Sequence, residues 1–188
     1  QFTYAVSMLF AGRFIDWIGS KWGYAIAITL WSLGSMLHAW GEFVGETFSP
    51  LFALFGLVIP VSILGFMISR FVLAVGEAGN FPAAIKVTAE WFPKKERSFA
   101  TGIFNSGANI GAVITPLTVP LIATYWGWEW AFIIIGGISF IWLPFWWPLY
   151  DKPKVMLAKG KLSQAEYDYI HSDVEEQEIE LNENQEKV

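Results

Sequence analysis

Apolar residues come in runs of span length, broken by short polar stretches. The runs cover about residues 2–14, 22–40, 59–91, 99–123 and 128–149. Each of the later four is close to or above the roughly 20 residues that cross a bilayer. The first is short. The polar stretches are GRFIDWIGSK, GEFVGETFSP, the region around Lys94–Arg97, and a short turn at 126–130. Beyond residue 150 the chain stays polar. This pattern predicts an all-α membrane protein with five transmembrane helices in residues 1–150 and a polar segment over 151–188. Gln1 is not Met and the chain is apolar almost at once, so a fragment of a longer protein is expected.

The run from Leu51 to Phe92 is about twice one span, and charge decides how to divide it. Arg13, Lys21, Lys94, Lys95, Arg97, Lys152 and Lys154 fall in alternate connections, while 41–50 and 126–130 hold only Glu42, Glu46 and Glu129. A single span in 51–92 puts every basic connection on one side, the cytoplasmic side by the positive-inside rule. Ser49-Pro50 is then expected to start that helix, Pro60 and Pro82 to bend it, and residues 151–188 to be cytoplasmic.

Composition agrees. Of 188 residues, 54% are hydrophobic, 18% aromatic and 15% charged, against about 25% charged in soluble domains. Residues 1–150 carry seven charges of each sign, so the net charge of −5 comes from the tail. An acidic tail argues against a nucleic-acid partner. The chain has no cysteine and only two, distant histidines, so no metal site or thiolate chemistry is expected, and no cofactor.

Two charges sit inside the third span. Arg70 and Glu77 are seven residues apart, two helical turns, so they share a face about 10 Å apart. Charge in hydrocarbon costs several kcal/mol, and such residues usually line a polar pathway. A structural ion pair between helices is the plainer alternative. Arg70 offers a planar fork for a carboxylate, and Glu77 is an acid able to carry a proton. Together they suit a proton-coupled carrier of organic anions. In the fourth span Asn105 and Asn109 share a face at i, i+4. They are candidates for sugar hydroxyls or for helix–helix hydrogen bonds. Gly107-x-x-x-Gly111 permits close helix approach. His38 reads as a helix-contact residue and Lys86 as an interfacial lysine. An intramembrane serine hydrolase at Ser106 lacks a nearby base, and a purely structural subunit would need Arg70 and Glu77 only as glue. In the tail, Ser163-x-x-Glu166 is a capping box. It predicts a surface helix running through Val174, with disorder beyond about Glu178.

The motif Gly12-x-x-x-Asp16-x-x-Gly19-x-Lys21, with Arg13 inside it, resembles the loop between the second and third helices of the major facilitator superfamily. There an Asp and basic residues latch the two halves. Trp17 and Ser20 stand where basic residues are usual. The runs Arg70-Phe71…Gly76-Glu77-Ala78-Gly79-Asn80-Phe81-Pro82, Glu90-Trp91-Phe92-Pro93-Lys94-Lys95-Glu96-Arg97-Ser98 and Phe104-Asn105-Ser106-Gly107 resemble its anion:cation symporter branch, in wording closest to bacterial hexuronate transporters. The resemblance implies a twelve-helix carrier in a bacterial inner membrane, importing glucuronate or galacturonate with protons. The five spans would match helices two to six, and 151–188 the start of the central linker. The first helix and the C-terminal half would be further partners. It also implies proton coupling at Glu77, substrate binding at Arg70, Asn105 and Asn109, and a latch at Gly12, Arg13, Asp16, Gly19 and Lys21.

Overall fold

The computed structural model describes residues 1–172. The described part is helical: α1 (Phe2–Ile18), α2 (Ser20–Leu37), a 3-10 turn (His38–Trp40), α3 (Gly41–Leu54), α4 (Val61–Trp91), α5 (Lys94–Trp126), α6 (Trp128–Leu149) and α7 (Pro153–Ala158). Residues 164–172 are helical as well. Among the described helices, α4, α5 and α6 are long and apolar enough to cross a membrane. Helices α1 and α2 have 17 and 18 residues. Two compact units form, residues 1–84 with 111–149 and residues 85–110 with the segment from Tyr150 onward.

In the first unit α2 is packed on two faces, and small residues decide both. Against α4, a Cβ at Gly76 would lie 2.2 Å from the backbone N of Trp31, and one at Gly34 would lie 2.4 Å from the N of Leu73. A Cβ at Gly79 would lie 2.9 Å from the Cβ of Ala27. The two backbones therefore touch, as small residues allow between membrane helices. Against α6, a Cβ at Gly136 would meet Met36 and the Ser32 carbonyl. Aromatic rings hold the rest of that seam. Tyr24 contacts Trp142 and Trp146 at 5.1 and 5.2 Å between centroids, and Trp22 meets Trp147 edge-on at 4.5 Å. Trp146 Nε1 donates to the Lys21 carbonyl at 3.1 Å.

Gly76→Val in the full-length protein is expected to destabilise it by about 1–3 kcal/mol or more, the range for overpacking. Here the group displaced is backbone, which cannot swing aside. A melting temperature equal to that of the wild type would show that the α2–α4 contact is not made.

Several connections differ from expectation. The polar stretch 12–21 is not a loop. Gly12, Arg13 and Asp16 continue α1, and only Gly19 breaks the helix, at φ 92°. Gly12 makes no turn, because Arg13 and Asp16 point polar groups outward while Ile15 buries and carries the helix on. GEFVGETFSP is likewise helix, not loop. Its glycines are packing sites: a Cβ at Gly45 would lie 1.9 Å from the Val61 carbonyl oxygen. Pro50 lies inside α3 and does not start α4, and Ser49 Oγ donates to the Glu46 carbonyl at 3.2 Å. Pro60 precedes α4 rather than bending it, with its carbonyl accepting from Leu64 N. Pro82 is inside α4. At Gly107 and Gly111, nothing among the described residues lies within 4 Å of an added Cβ.

The second unit is organised by side chains over helix ends. Arg97 Nε donates to the Phe92 carbonyl and Nη2 to the Ala89 carbonyl, both at 3.0 Å, satisfying open acceptors at the end of α4. Tyr150 donates to Glu90, and Tyr169 donates to Glu96 beneath the Lys95 ammonium. Lys159 pairs with Asp151 at 2.6 Å. The capping box forms. Ser163 N and Oγ both donate to Glu166 Oε2, at 3.0 and 2.8 Å, and these bonds hold the Glu166 carboxyl below its ordinary range. Val174 and the stretch beyond Glu178 lie outside the described residues.

Candidate functional site

Gly76 and Gly79 press one face of α4 against α2. Arg70 and Glu77 lie on another side of the same helix, and both are exposed. Both line one cavity of about 1040 Å³, and both are exposed to it. The walls come from three places. The start of α1 gives Gln1, Thr3 and Tyr4; α3 gives Phe52; α4 itself gives Ser62, Phe66, Phe71 and Ala74. The seven-residue spacing keeps the two charges about 10 Å apart along the helix. A guanidinium at one level and a carboxyl two turns away leave room between them for an anion. Hydroxyls of Thr3, Tyr4 and Ser62 belong to the same wall and can bond sugar hydroxyls.

A second cavity of about 360 Å³ lies beside α1, α2 and α4. It is lined by Phe10, Phe14, Ile26, Leu30, Val75 and other small or apolar residues, and holds no charge.

The other sequence-derived residues are placed as follows. Asn105 and Asn109 lie one turn apart on α5, in the second unit, both exposed. They are not among the residues lining either cavity. Arg13 and Asp16 are exposed on the last turns of α1. Lys21 Nζ lies over the Trp147 ring at 5.5 Å. His38 is fully buried. Its Nδ1 is 2.7 Å from the Gly34 carbonyl, and its ring stacks on Phe132 at 4.8 Å. The wall residues Thr3, Tyr4 and Ser62 were not singled out from sequence. The one available signal was Thr3-Tyr4, two polar groups opening an apolar run.

The family model for the Major Facilitator Superfamily matches residues 1–170. The chain belongs to the major facilitator superfamily. This major facilitator chain is 38% identical over 168 residues to a hexuronate transporter of Escherichia coli K12, covering 89% of the chain and 34% of that protein. It is 33% identical over 178 residues to a galacturonate transporter of Dickeya chrysanthemi, covering 93% of the chain and 44% of that protein. To a D-galactonate transporter of Escherichia coli O6:H1 it is 34% identical over 168 residues, 89% of the chain and 34% of that protein. The major facilitator chain thus spans less than half the length of these relatives. They are transporters, not enzymes. The expected superfamily and its resemblance to hexuronate carriers are borne out. With three helices of membrane-crossing length and composition, this is a membrane protein.

Proposed function

We propose that the chain is part of a proton-coupled symporter that imports organic anions, hexuronates such as glucuronate and galacturonate first among them. The observation that carries this is Arg70 and Glu77 facing one cavity, in a chain whose relatives carry hexuronate and galacturonate. A hexuronate has one carboxylate and several hydroxyls. Arg70 binds the carboxylate through its fork, since paired N–H donors match both oxygens. Thr3, Tyr4 and Ser62 bond hydroxyls. Glu77 takes a proton from the outside and releases it inside. Asn105 and Asn109 serve as further substrate-lining amides on α5. Gly12, Arg13, Asp16, Gly19 and Lys21 form the conformational latch at the α1–α2 junction, where Gly19 is the break point.

In this reading α1, α2, α4, α5 and α6 are five crossings of a bacterial inner membrane, matching helices two to six of twelve. Residues 151–188 are cytoplasmic, and the first helix and C-terminal half complete the carrier. Cysteines placed at Glu46 and Glu129 in the full-length protein are expected to react with an impermeant reagent from outside. Cysteines at Lys95 and Lys161 are expected to react only from the cytoplasm. Outside labelling at Lys95 would overturn the five-crossing arrangement.

The D-galactonate relative favours a second reading, a carrier of aldonates or other carboxylates, and the coupling ion is then sodium or a proton. Uptake of labelled glucuronate, galacturonate and galactonate by the full-length carrier, with and without a pH gradient, separates these. Hexuronate uptake that rises with an inward proton gradient is expected. Uptake that follows sodium, or galactonate alone, would replace the proposal.

A further inference from the structure

Helix α3 borders the site, yet the proposed cycle gives it no part. It runs antiparallel to the start of α4. Gly41 meets Gly65 and Gly45 meets Val61, both at backbone contact: a Cβ at Gly65 would run into the Gly41 carbonyl, and one at Gly45 into that of Val61. Phe52 comes seven residues past Gly45, two turns or about 10 Å along the helix. At 3.6 residues per turn it stands within about 20° of both glycines, on the face that presses on α4. But α4 begins only at Val61, so Phe52 overhangs its first turn. The ring lines the cavity of Arg70 and Glu77 instead.

The backbone holds Phe52 in place. Leu57 N donates to the Phe52 carbonyl at 3.1 Å and Gly56 N to the Ala53 carbonyl at 2.9 Å, with Gly56 at φ 72°. This is the glycine-closed helix end that satisfies the last carbonyls. Through residues 51–58 the other residues are exposed, and Phe52 alone is half-buried. Glu42 and Glu46, also exposed, stand about 80° and 120° round the helix from it. A ring, not a carboxylate, is therefore what α3 turns toward the anion site. Along α4, Ser62, Arg70 and Glu77 follow in order, about 12 and 10 Å apart. Phe52 is at the Ser62 end, which is the outer end when Lys94–Arg97 is cytoplasmic.

We propose that Phe52 is a positioning residue: it covers the outer mouth of the site and keeps water off the pair that Arg70 makes with the substrate carboxylate. The proposal rests on the reading of Arg70 as the partner of that carboxylate and on the five-crossing arrangement. Attraction between unlike charges strengthens as the local dielectric falls. Contacts that are neutral in themselves sustain a charged anchor by excluding water around it. A phenyl ring does this without competing for the hydrogen bonds of the anion. The cover stands at one end only, so its effect is one-sided. It strengthens binding of an anion that enters from outside. An anion that enters from the cytoplasm approaches from the Glu77 end, away from the ring.

The test is the half-saturation constant for labelled glucuronate in the full-length carrier, measured for entry into right-side-out and into inverted membrane vesicles. Phe52→Ala is expected to raise the constant of the outer side by roughly fivefold or more, about 1 kcal/mol, and to leave that of the inner side unchanged. Phe52→Tyr keeps the ring and is expected to match the wild type on both sides. Phe52→Leu keeps apolar bulk at the half-buried position and serves where the alanine variant is not stable. It too is expected to raise the outer constant alone. A purely structural role would lower the amount of active carrier, and so the maximal rate, and leave both constants as they are. An unchanged outer constant in the alanine or leucine variant, or an equal rise on both sides, overturns the Phe52 proposal alone. No glucuronate entry by the wild type from either side overturns the site reading, and this proposal with it.

Discussion

Arg70→Ala in the full-length carrier is expected to weaken glucuronate binding by roughly 30-fold or more. Truncating one partner of a desolvated, hydrogen-bonded charge pair costs about 2–5 kcal/mol. Each 1.4 kcal/mol is a factor of ten in affinity. The geometry supports the large effect. Arg70 is the guanidinium of this cavity, and Thr3, Tyr4 and Ser62 offer only neutral hydroxyls to a carboxylate. Arg70→Lys is expected to recover part of the loss, because it restores charge but not the fork. Titration calorimetry on the purified carrier reads both. Wild-type affinity in Arg70→Ala would return Arg70 to an ion-pair role between helices.

Glu77→Gln is expected to abolish accumulation while leaving substrate able to exchange across the membrane. The amide is close in size to the protonated acid but cannot release a proton. A gradient of one pH unit corresponds to about tenfold accumulation per coupled proton. That factor should vanish in the variant. Counterflow, in which labelled substrate enters against unlabelled substrate inside, needs no net proton movement and should continue. Full accumulation by Glu77→Gln in an energised vesicle would remove Glu77 from coupling.

The legible and illegible parts divide by physical range. The period of α4 put Arg70 and Glu77 on one face, because seven residues is nearly two whole turns whatever the helix packs on. The pattern of Lys and Arg pointed to one crossing between Leu51 and Phe92; that stretch holds the end of α3, to Leu54, and α4 from Val61 to Trp91. The capping box at Ser163 and Glu166 is equally local, and its bonds form. The failures came where a residue's meaning depended on a distant contact. Gly41 and Gly45 look like loop glycines, yet they let α3 touch α4 near Gly65 and Val61. Gly107 and Gly111 have a spacing that permits a helix contact, and among the described residues nothing lies within 4 Å of an added Cβ at either. Thr3, Tyr4 and Ser62 line the cavity of Arg70 and Glu77 only because the start of α1 and α4 enclose it together. The roles of Asn105 and Asn109 rest on resemblance; on α5 both are exposed.

The apolar surface of α5 follows the same logic. Ile103, Ile110, Val113, Leu117 and Leu121 are exposed along one face of that helix. An apolar stripe of this length is covered by lipid or by another helix. By length and composition α5 is apolar enough to cross a membrane.

The central claim is that Arg70 and Glu77 move an anion and a proton together. The direct measurement is the external pH of a lightly buffered suspension of de-energised cells making the full-length carrier. Addition of glucuronate is expected to make the medium more alkaline at once, as protons enter with the sugar acid, and to do nothing in cells making Glu77→Gln. Glucuronate entry with no change of external pH in the wild type, or the same alkaline shift in Glu77→Gln, would contradict the account.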